Sequence, residues 1–280
     1  MIIDARCRPM YDEFLKQVQN PTGVTARMGM QTPRSALEKS ETIMLQEMSD
    51  AGISMGIAPG RNGHFRYNVS NDCVVDMVKH FKGKFIGIAG INPSDREQAL
   101  KDIDTYVVNG PLKGVNMEPG SMTTPWYAND RRIYPIYEKC SEHKIPVMLM
   151  LGGRAGPDTS YSDPKIITNI ARDFPKINFY VSHGGWPWAQ VLLGACFWQP
   201  NIFLGPDMYL LTGVGTADYV AAARGFMQDR FLFGSAYPLM PFKPCVDKFM
   251  ELFGNSDVLD KLLYKNAARL FNVDLDSVPA

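Results

Sequence analysis

Residues 178–188 read Asn-Phe-Tyr-Val-Ser-His-Gly-Gly-Trp-Pro-Trp. This stretch has the pattern of a buried strand, a turn and the start of a helix, and it is the basis for the predicted fold. Its first half is a short apolar run of β-favouring residues that stops at Ser182 and His183. The pair Gly184-Gly185 then allows a sharp turn before a new helix. A histidine just past the end of a buried strand lies where α/β proteins usually display catalytic groups. His183 is therefore the first candidate for an active site, and the alternative is a side chain that only hydrogen-bonds nearby backbone.

Short apolar runs alternate with amphipathic stretches along the whole chain. Strict alternation of strand and helix implies parallel pairing through right-handed crossovers. Eight such units in 280 residues predict an α/β fold with a single closed (β/α)₈ TIM barrel of parallel strands, in preference to an open sheet. The predicted strands are 2–5, 53–58, 85–91, 114–118, 146–151, 179–183, 202–204 and 231–234, and the predicted helices are 35–50, 69–81, 95–108, 130–143, 163–173 and 217–227.

The turn after the first strand argues against a nucleotide-binding sheet. Residues 6–9 read Arg-Cys-Arg-Pro, with neither a GxGxxG nor a GKS/T loop. Residues 10–34 have no clear periodicity and include Pro21 and Pro33, which predicts a long loop after strand 1 at the barrel mouth. No linker divides the chain, so residues 1–280 are interpreted as a single TIM-barrel domain.

The composition excludes several functional classes. Lys and Arg number 29 and Asp and Glu also number 29, with no long run of one sign, which argues against a general nucleic-acid or membrane-surface binder. The five cysteines are scattered without a CxxC pair, so we expect a reduced, cytoplasmic protein. The first residues lack the pattern of a signal peptide, and no segment approaches the roughly 20 apolar residues of a membrane span. The neutral charge is compatible with a homo-oligomer.

Polar side chains collect at the carboxyl ends of the predicted strands, where barrel enzymes build their sites. They form an arginine-rich ring around one histidine, and we expect this ring to bind a small anionic substrate. Its members are Arg6 and Arg8 after strand one, Arg61 after strand two, Asn116 and Glu118 at strand four, Arg154 after strand five, His183 at strand six, Asp207 and Tyr209 after strand seven, and Ser235 and Tyr237 after strand eight.

Four motifs, in the order of the chain, carry a resemblance to a known family. They are Ile-Ile-Asp at 2–4, Ser-His-Gly-Gly at 182–185, Phe-Gly-Ser-Ala-Tyr-Pro at 233–238 and Asn-Ala-Ala-Arg-Leu-Phe at 266–271. The sequence resembles the amidohydrolase superfamily, specifically its amidohydrolase-related (amidohydrolase 2) branch. The resemblance implies a TIM barrel and an enzyme, because that branch contains metal-dependent hydrolases and non-oxidative decarboxylases of small carboxylic acids.

The sequence departs from this family at its metal ligands. Where the family has His-x-His after the first strand, this chain has Arg-Cys-Arg at 6–8, and Met150 and Ala236 stand at the fifth-strand histidine and the eighth-strand aspartate. An arginine keeps its proton, so it repels a divalent cation and does not replace an imidazole ligand. We therefore predict no metal cofactor, and the alternative is a divalent metal such as zinc held by His183 with a carboxylate.

Arg6 and Arg8 lie two residues apart on a strand, so both side chains are predicted to point into the barrel mouth. Two guanidinium groups there match the oxygens of a carboxylate and can stabilise an enolate or oxyanion as it forms. The alternative is that the two arginines form structural ion pairs with Glu118 or Asp207. A glycine-rich loop at 152–158 is predicted to bring backbone N–H groups close to the same anion.

His183 is the candidate general base or acid, because the pKa of histidine lies near neutrality. Asp207 is its candidate orienting partner or a second acid/base group, although an aspartate after proline is also an ordinary turn residue. The other members of the ring are predicted to bind substrate. The remaining histidines, His64, His80 and His143, are expected to be solvated.

These observations predict an enzyme that acts on a small carboxylated substrate by hydrolysis or by carbon–carbon or carbon–oxygen lyase chemistry, including decarboxylation, without the family metal. One alternative is a barrel that binds a carboxylate and catalyses nothing. Another is a metal-dependent hydrolase with relocated ligands.

Overall fold

Seven parallel strands follow one another in chain order around a barrel in the computed structural model, which describes residues 1–19 and 23–278. Pro21 of the predicted loop and the last two residues of the predicted domain lie outside these ranges. Each strand hydrogen-bonds to the next in parallel register. The strands are β1 (Ile3–Asp4), β2 (Met55–Pro59), β3 (Phe85–Gly90), β4 (Val115–Met117), β5 (Val147–Met150), β6 (Phe179–Ser182) and β7 (Ile202–Gly205).

The eighth predicted strand, 231–234, is an irregular segment that closes the barrel. Phe231 makes a single parallel bridge to β7. On the other side, the carbonyl of Phe233 accepts the backbone N–H of the residue after β1 over 3.0 Å. Further along, the Asp4 carboxylate accepts the backbone N–H of Ser235, so a side chain takes the place of strand pairing. The barrel is therefore closed as predicted, although its last member is not a regular strand.

Helices cover the outside of the barrel, and the predicted helices 69–81, 130–143, 163–173 and 217–227 all overlap helices of the structure. No helix in the described ranges is long and apolar enough to cross a membrane. The α-helices are α1 (Lys16–Gln19), α2 (Val24–Arg27), α3 (Arg34–Glu38), α4 (Glu41–Asp50), α5 (Asn71–Phe81), α6 (Arg96–Asp102), α7 (Tyr134–Glu142), α8 (Pro164–Asp173), α9 (Ala189–Trp198), α10 (Thr216–Arg224), α11 (Phe242–Phe253) and α12 (Asn266–Phe271).

Two helical predictions need correction. The predicted loop 10–34 contains the short helices α1 and α2. The predicted helix 35–50 is broken between α3 and α4, because Lys39 adopts a φ of 51° in the left-handed region. Ser40 then begins α4 as its N-cap, and its side chain accepts the backbone N–H of Ile43.

Apolar side chains fill the barrel interior and close its lower end. Ile57, Ile88 and Tyr180 are fully buried inside the ring of strands. The ring of Phe271 from α12 meets that of Tyr180 edge-on, with centroids 6.2 Å apart. Because α12 covers this end, a ligand enters from the opposite end, where the strands finish.

Candidate active site

A cavity of about 450 Å³ lies at the carboxyl ends of the strands. Its volume lies in the range typical of small-molecule sites. Among the residues described, six arginines line it and no aspartate or glutamate does. Gln17 of α1 and Val24 of α2 also line it, so the region after β1 covers the mouth as predicted. The arginines are Arg6, Arg8, Arg27, Arg61, Arg66 and Arg154.

His183 and Asp207 meet at the floor of this cavity. Nδ1 of His183 lies 3.0 Å from Oδ1 of Asp207, and the backbone N–H of His183 donates to Oδ2 over 3.3 Å. The carboxylate only accepts, so Nδ1 carries the proton and Nε2 keeps its lone pair. His183 lines the cavity, whereas the side chain of Asp207 is fully buried behind it. The structure thus brings together the predicted base and its orienting partner.

Unusual backbone conformations place both members of this pair. His183 has a φ of 66° and Asp207 a φ of 44°, in the left-handed region that residues other than glycine rarely adopt. A Cβ on Gly152 would lie 2.5 Å from the carbonyl oxygen of His183, and a Cβ on Gly153 would overlap the hydroxyl of Tyr209. The glycines after β5 are therefore explained by close packing around His183, a reason different from the predicted anion cradle.

Burial lowers the pKa of His183 below its ordinary value, and the positive charge of Arg6 acts in the same direction. These two effects outweigh the attraction of Asp207 for the protonated imidazole. His183 is therefore neutral at neutral pH, as a general base must be. Tyr209 lies beside it, with ring centroids 5.6 Å apart, and burial raises the pKa of Tyr209 to about 12, so its hydroxyl keeps its proton.

Glu118 holds two of the cavity arginines from behind. Its Oε1 lies 3.1 Å from Nη2 of Arg8, and its Oε2 lies 2.8 Å from Nη2 of Arg61. Burial alone would raise the pKa of Glu118, but the charges of Arg61 and Arg8 hold that pKa well below its usual range. The alternative prediction, that Arg6 and Arg8 form structural ion pairs with Glu118 or Asp207, therefore holds for Arg8. Arg6 forms a longer pair, with Nη1 3.9 Å from Oδ2 of Asp207.

These ion pairs do not use all the guanidinium N–H groups of the arginines that line the cavity. In the part of the chain that the structure describes, the buried Nε–H of Arg8 has no hydrogen-bond partner. Arg66 and Arg154 line the cavity and have no carboxylate partner within the described ranges. Arg66 is half-buried and Arg154 is exposed, so their guanidinium groups can bind an anion that enters the cavity.

His64 was expected to be solvated, and this expectation is wrong. It is buried, lines the cavity, and its Nε2 lies 3.7 Å from Oε2 of Glu118. Its Nδ1 accepts the backbone N–H of Arg66 over 3.0 Å, so the proton sits on Nε2. Burial, aided by the charge of Arg61, lowers the pKa of His64 to about 3. The sequence places His64 only three residues after Arg61, and this spacing could have indicated that it lies in the same cavity.

Three of the predicted substrate-binding residues point elsewhere. Oγ of Ser235 donates to Asp4 over 2.5 Å, and the hydroxyl of Tyr237 lies 2.5 Å from Oγ of Ser35. Nδ2 of Asn116 donates to the carbonyl of Gly60 over 2.9 Å. None of the three lines the cavity in the described structure, because partners within the barrel take up their polar atoms. Arg6, Arg8, Arg61, Arg154 and Tyr209 do line it, and Glu118 acts through the arginines.

The donor set does not fit the metal that the family resemblance implies. No group of three or more His, Cys, Asp or Glu side chains close enough to hold a metal ion occurs within residues 1–19 and 23–278. The mouth instead presents the guanidinium groups of Arg6 and Arg8. Asp207 is engaged by His183, and Nε2 of His64 carries a proton. Nε2 of His183 is then the imidazole nitrogen with a free lone pair, whereas a zinc site needs at least three donors.

Comparison with known proteins agrees with this architecture. The amidohydrolase family model matches residues 11–273. A solved, uncharacterised TIM-barrel protein from Bordetella bronchiseptica is 39% identical, and the match covers 97% of this chain and 98% of that chain with a TM-score of 0.93. The predicted TIM barrel is thereby confirmed.

Two further relatives have a described chemistry. A 2-keto-4-carboxy-3-hexenedioate hydratase from a Sphingobium species is 26% identical in an alignment 134 residues long, and the match covers 41% of this chain. The match spans only 39% of the length of that curated relative. A 2,6-dihydroxybenzoate decarboxylase, solved in complex with 2,6-dihydroxybenzoate, is 14% identical with a TM-score of 0.72 and covers 97% of this chain and 99% of that chain. At that identity, the likeness shows the fold alone.

Proposed function

The chain belongs to the amidohydrolase family, and from this premise we propose that it is a carbon–oxygen lyase that adds water to, or removes it from, a small substrate with more than one carboxylate. One observation carries the proposal: a neutral imidazole, with its free Nε2 exposed to the cavity, faces a wall of six arginines. The curated hydratase acts on a substrate of this class, which supports the reaction type.

The excess of positive charge selects the substrate. Glu118 and Asp207 offset two of the three positive charges of Arg6, Arg8 and Arg61. The cavity is also lined by Arg66 and Arg154. A substrate with one carboxylate leaves part of this charge unmatched, whereas a di- or tricarboxylate matches it. Electrostatic attraction also steers such a substrate into the mouth, although the whole chain has no net charge.

The side chains divide the reaction between them. In the dehydration direction, Nε2 of His183 takes the proton from the carbon next to a carbonyl or carboxylate, and the electron pair moves onto its oxygen. Arg6 and Arg8 stabilise the enolate that forms. The enolate then collapses to a carbon–carbon double bond, and the hydroxyl on the adjacent carbon leaves with the proton from His183 as water. Asp207 holds the imidazole in the required tautomer throughout.

Hydrolysis of a lactone or ester is the second candidate, and the family match favours it. The same Nε2 would then take a proton from a water molecule that attacks the carbonyl carbon, and the arginines would stabilise the tetrahedral oxyanion.

Turnover of a substrate panel tests the proposal. The panel contains unsaturated and hydroxylated di- and tricarboxylates, their monocarboxylate analogues and lactones, all assayed in chelator-treated buffer. We expect reversible hydration of a polycarboxylate, followed by ultraviolet absorbance, with the monocarboxylate analogue much poorer. Turnover of lactones alone would support the hydrolase, and tight binding without turnover of any compound would overturn the enzymatic proposal.

The pH profile of that turnover checks the assigned base. Because only neutral His183 accepts a proton, kcat/KM is expected to fall as the pH drops below the ordinary histidine pKa of about 6.5 and to be level at neutral pH. Arg6→Met removes a charge that lowers the pKa of His183, so the acidic limb is expected to move to higher pH. An acidic limb that does not move in this variant would contradict the assignment.

A further inference from the structure

One face of helix α9 is exposed and mostly apolar, and the polar side chain of Gln190 also lies on it. Residues 177–206, which include α9, contain no Asp, Glu, Lys or Arg. Trp198 is 78% exposed, Phe197 59% and Val191 58%. A solvated helix normally carries charged or polar side chains on its outer face. We call this surface the α9 face, and it consists of Trp188, Val191, Gly194, Phe197 and Trp198 with Phe226, whose ring centroid lies 5.4 Å from that of Phe197.

Gly194 lies near the centre of the α9 face, and the described residues leave open space beside it. A Cβ built on Gly194 meets no atom of these residues within 4 Å, whereas one built on Gly56 or Gly87 would overlap a buried side chain. The φ of Gly194 is not positive, so alanine would fit its conformation. Glycine inside a helix is destabilising relative to alanine. A glycine here is therefore explained by the close approach of a surface from outside the chain.

We infer that the α9 face is the interface of a homodimer, in which α9 crosses its own copy at Gly194. A two-fold axis brings each surface against itself, so the face must be self-complementary. Val191 precedes Gly194 by three residues and Trp198 follows it by four. In an antiparallel crossing, the small Val191 of one copy therefore meets the large Trp198 of the other, and Gly194 leaves room for the two backbones to approach.

The area of the α9 face fits a dimer. A fully exposed aromatic side chain presents roughly 150–250 Å², so the exposed fractions of these residues leave on the order of 500 Å² of apolar surface. A standard interface covers about 800 Å² per partner, and homodimer interfaces are about 65% apolar. The apolar area of the α9 face is therefore close to the apolar area that one partner of a homodimer buries. An apolar patch of this size that stayed exposed would promote aggregation.

Sedimentation velocity of the purified chain tests this inference. The wild type is expected to sediment as a species of twice the chain mass of 31.3 kDa. Trp198→Glu is expected to sediment as a single chain, because each copy would have to bury an unpaired glutamate against Val191 of the other. Leu37→Glu is the matched control, since Leu37 is 69% exposed but lies in α3 outside the α9 face. A single-chain wild type, or an unchanged dimer in Trp198→Glu, would overturn the inference.

A cysteine at the axis provides a second, independent measurement. All five native cysteines are buried, so Gly194→Cys adds one exposed thiol. If Gly194 meets its own copy, the two sulfurs come within disulfide range, and mild oxidation gives a covalent dimer on a non-reducing gel. Leu37→Cys is the control, and it should run as a single chain on the same gel. Failure of Gly194→Cys to cross-link while the wild type sediments as a dimer would place the interface elsewhere.

Discussion

His183→Asn is expected to lower kcat/KM for the polycarboxylate substrate by about 10³-fold, which is within the range that a positioned general base contributes. Asparagine is the informative replacement because it tolerates a positive φ better than most residues, and His183 has a φ of 66°. The variant therefore keeps the backbone of the site and loses only the group that accepts the proton. Steady-state kinetics with the substrate found in the panel measure the effect.

Two comparisons separate this loss from a general defect. His143→Asn changes a histidine outside the cavity and is expected to leave kcat/KM unchanged. Binding of the substrate to His183→Asn, measured by calorimetry, is expected to stay within a few-fold of wild type, because the arginines remain. Retention of more than a tenth of the wild-type kcat/KM in His183→Asn would remove this residue from the mechanism.

Glu118→Gln is expected to reduce the free energy of unfolding by about 3–5 kcal/mol, the usual cost of removing one partner from a buried ion pair. Glutamine keeps the shape of the side chain but leaves Arg8 and Arg61 buried without their counter-charge. Urea unfolding at pH 7 measures the loss. The matched control is Glu251→Gln, because Glu251 forms an exposed pair with Lys248 that is worth less than about 1 kcal/mol.

An added anion distinguishes this ion cluster from ordinary packing. If Glu118 serves to compensate cavity arginines, a millimolar concentration of citrate should stabilise Glu118→Gln more than it stabilises the wild type, because a bound carboxylate replaces the missing charge. A loss of stability below about 1 kcal/mol in Glu118→Gln, or equal stabilisation of both proteins by citrate, would contradict the role given to Glu118.

Much of the barrel could be predicted because the sequence patterns of its strands and helices extend over only a few neighbouring residues. The runs in β2 and β6 are short, apolar and fully buried, and each is followed by a stretch with helical spacing. The break at Lys39 and the irregular eighth segment could not be predicted in the same way. The first depends on a left-handed residue and a capping serine, and the second on the contact of Ser235 with Asp4, 231 positions away in sequence.

In the candidate site, too, residues at strand ends could be predicted, whereas residues placed by long-range contacts could not. The rule that strand ends build the site selected His183 and Asp207, and the structure brings these two residues into contact. The same rule selected Ser235 and Tyr237, but a φ of 62° at Ala236 accompanies a turn in which their hydroxyls bond within the barrel. His64 was missed because its loop is folded over the mouth by bridges that connect distant parts of the chain.

We propose that cavity arginines hold a carboxylate within reach of a neutral His183, and that this carboxylate takes the place of the metal ion that the family resemblance implies. The most direct measurement is a crystal structure of the protein grown with citrate after chelator treatment and then supplied with manganese and zinc. We expect a citrate carboxylate bound by Arg6 and Arg8, close to Nε2 of His183, and no coordinated cation. A metal ion liganded at that point, or the two arginines turned out into bulk solvent, would contradict it.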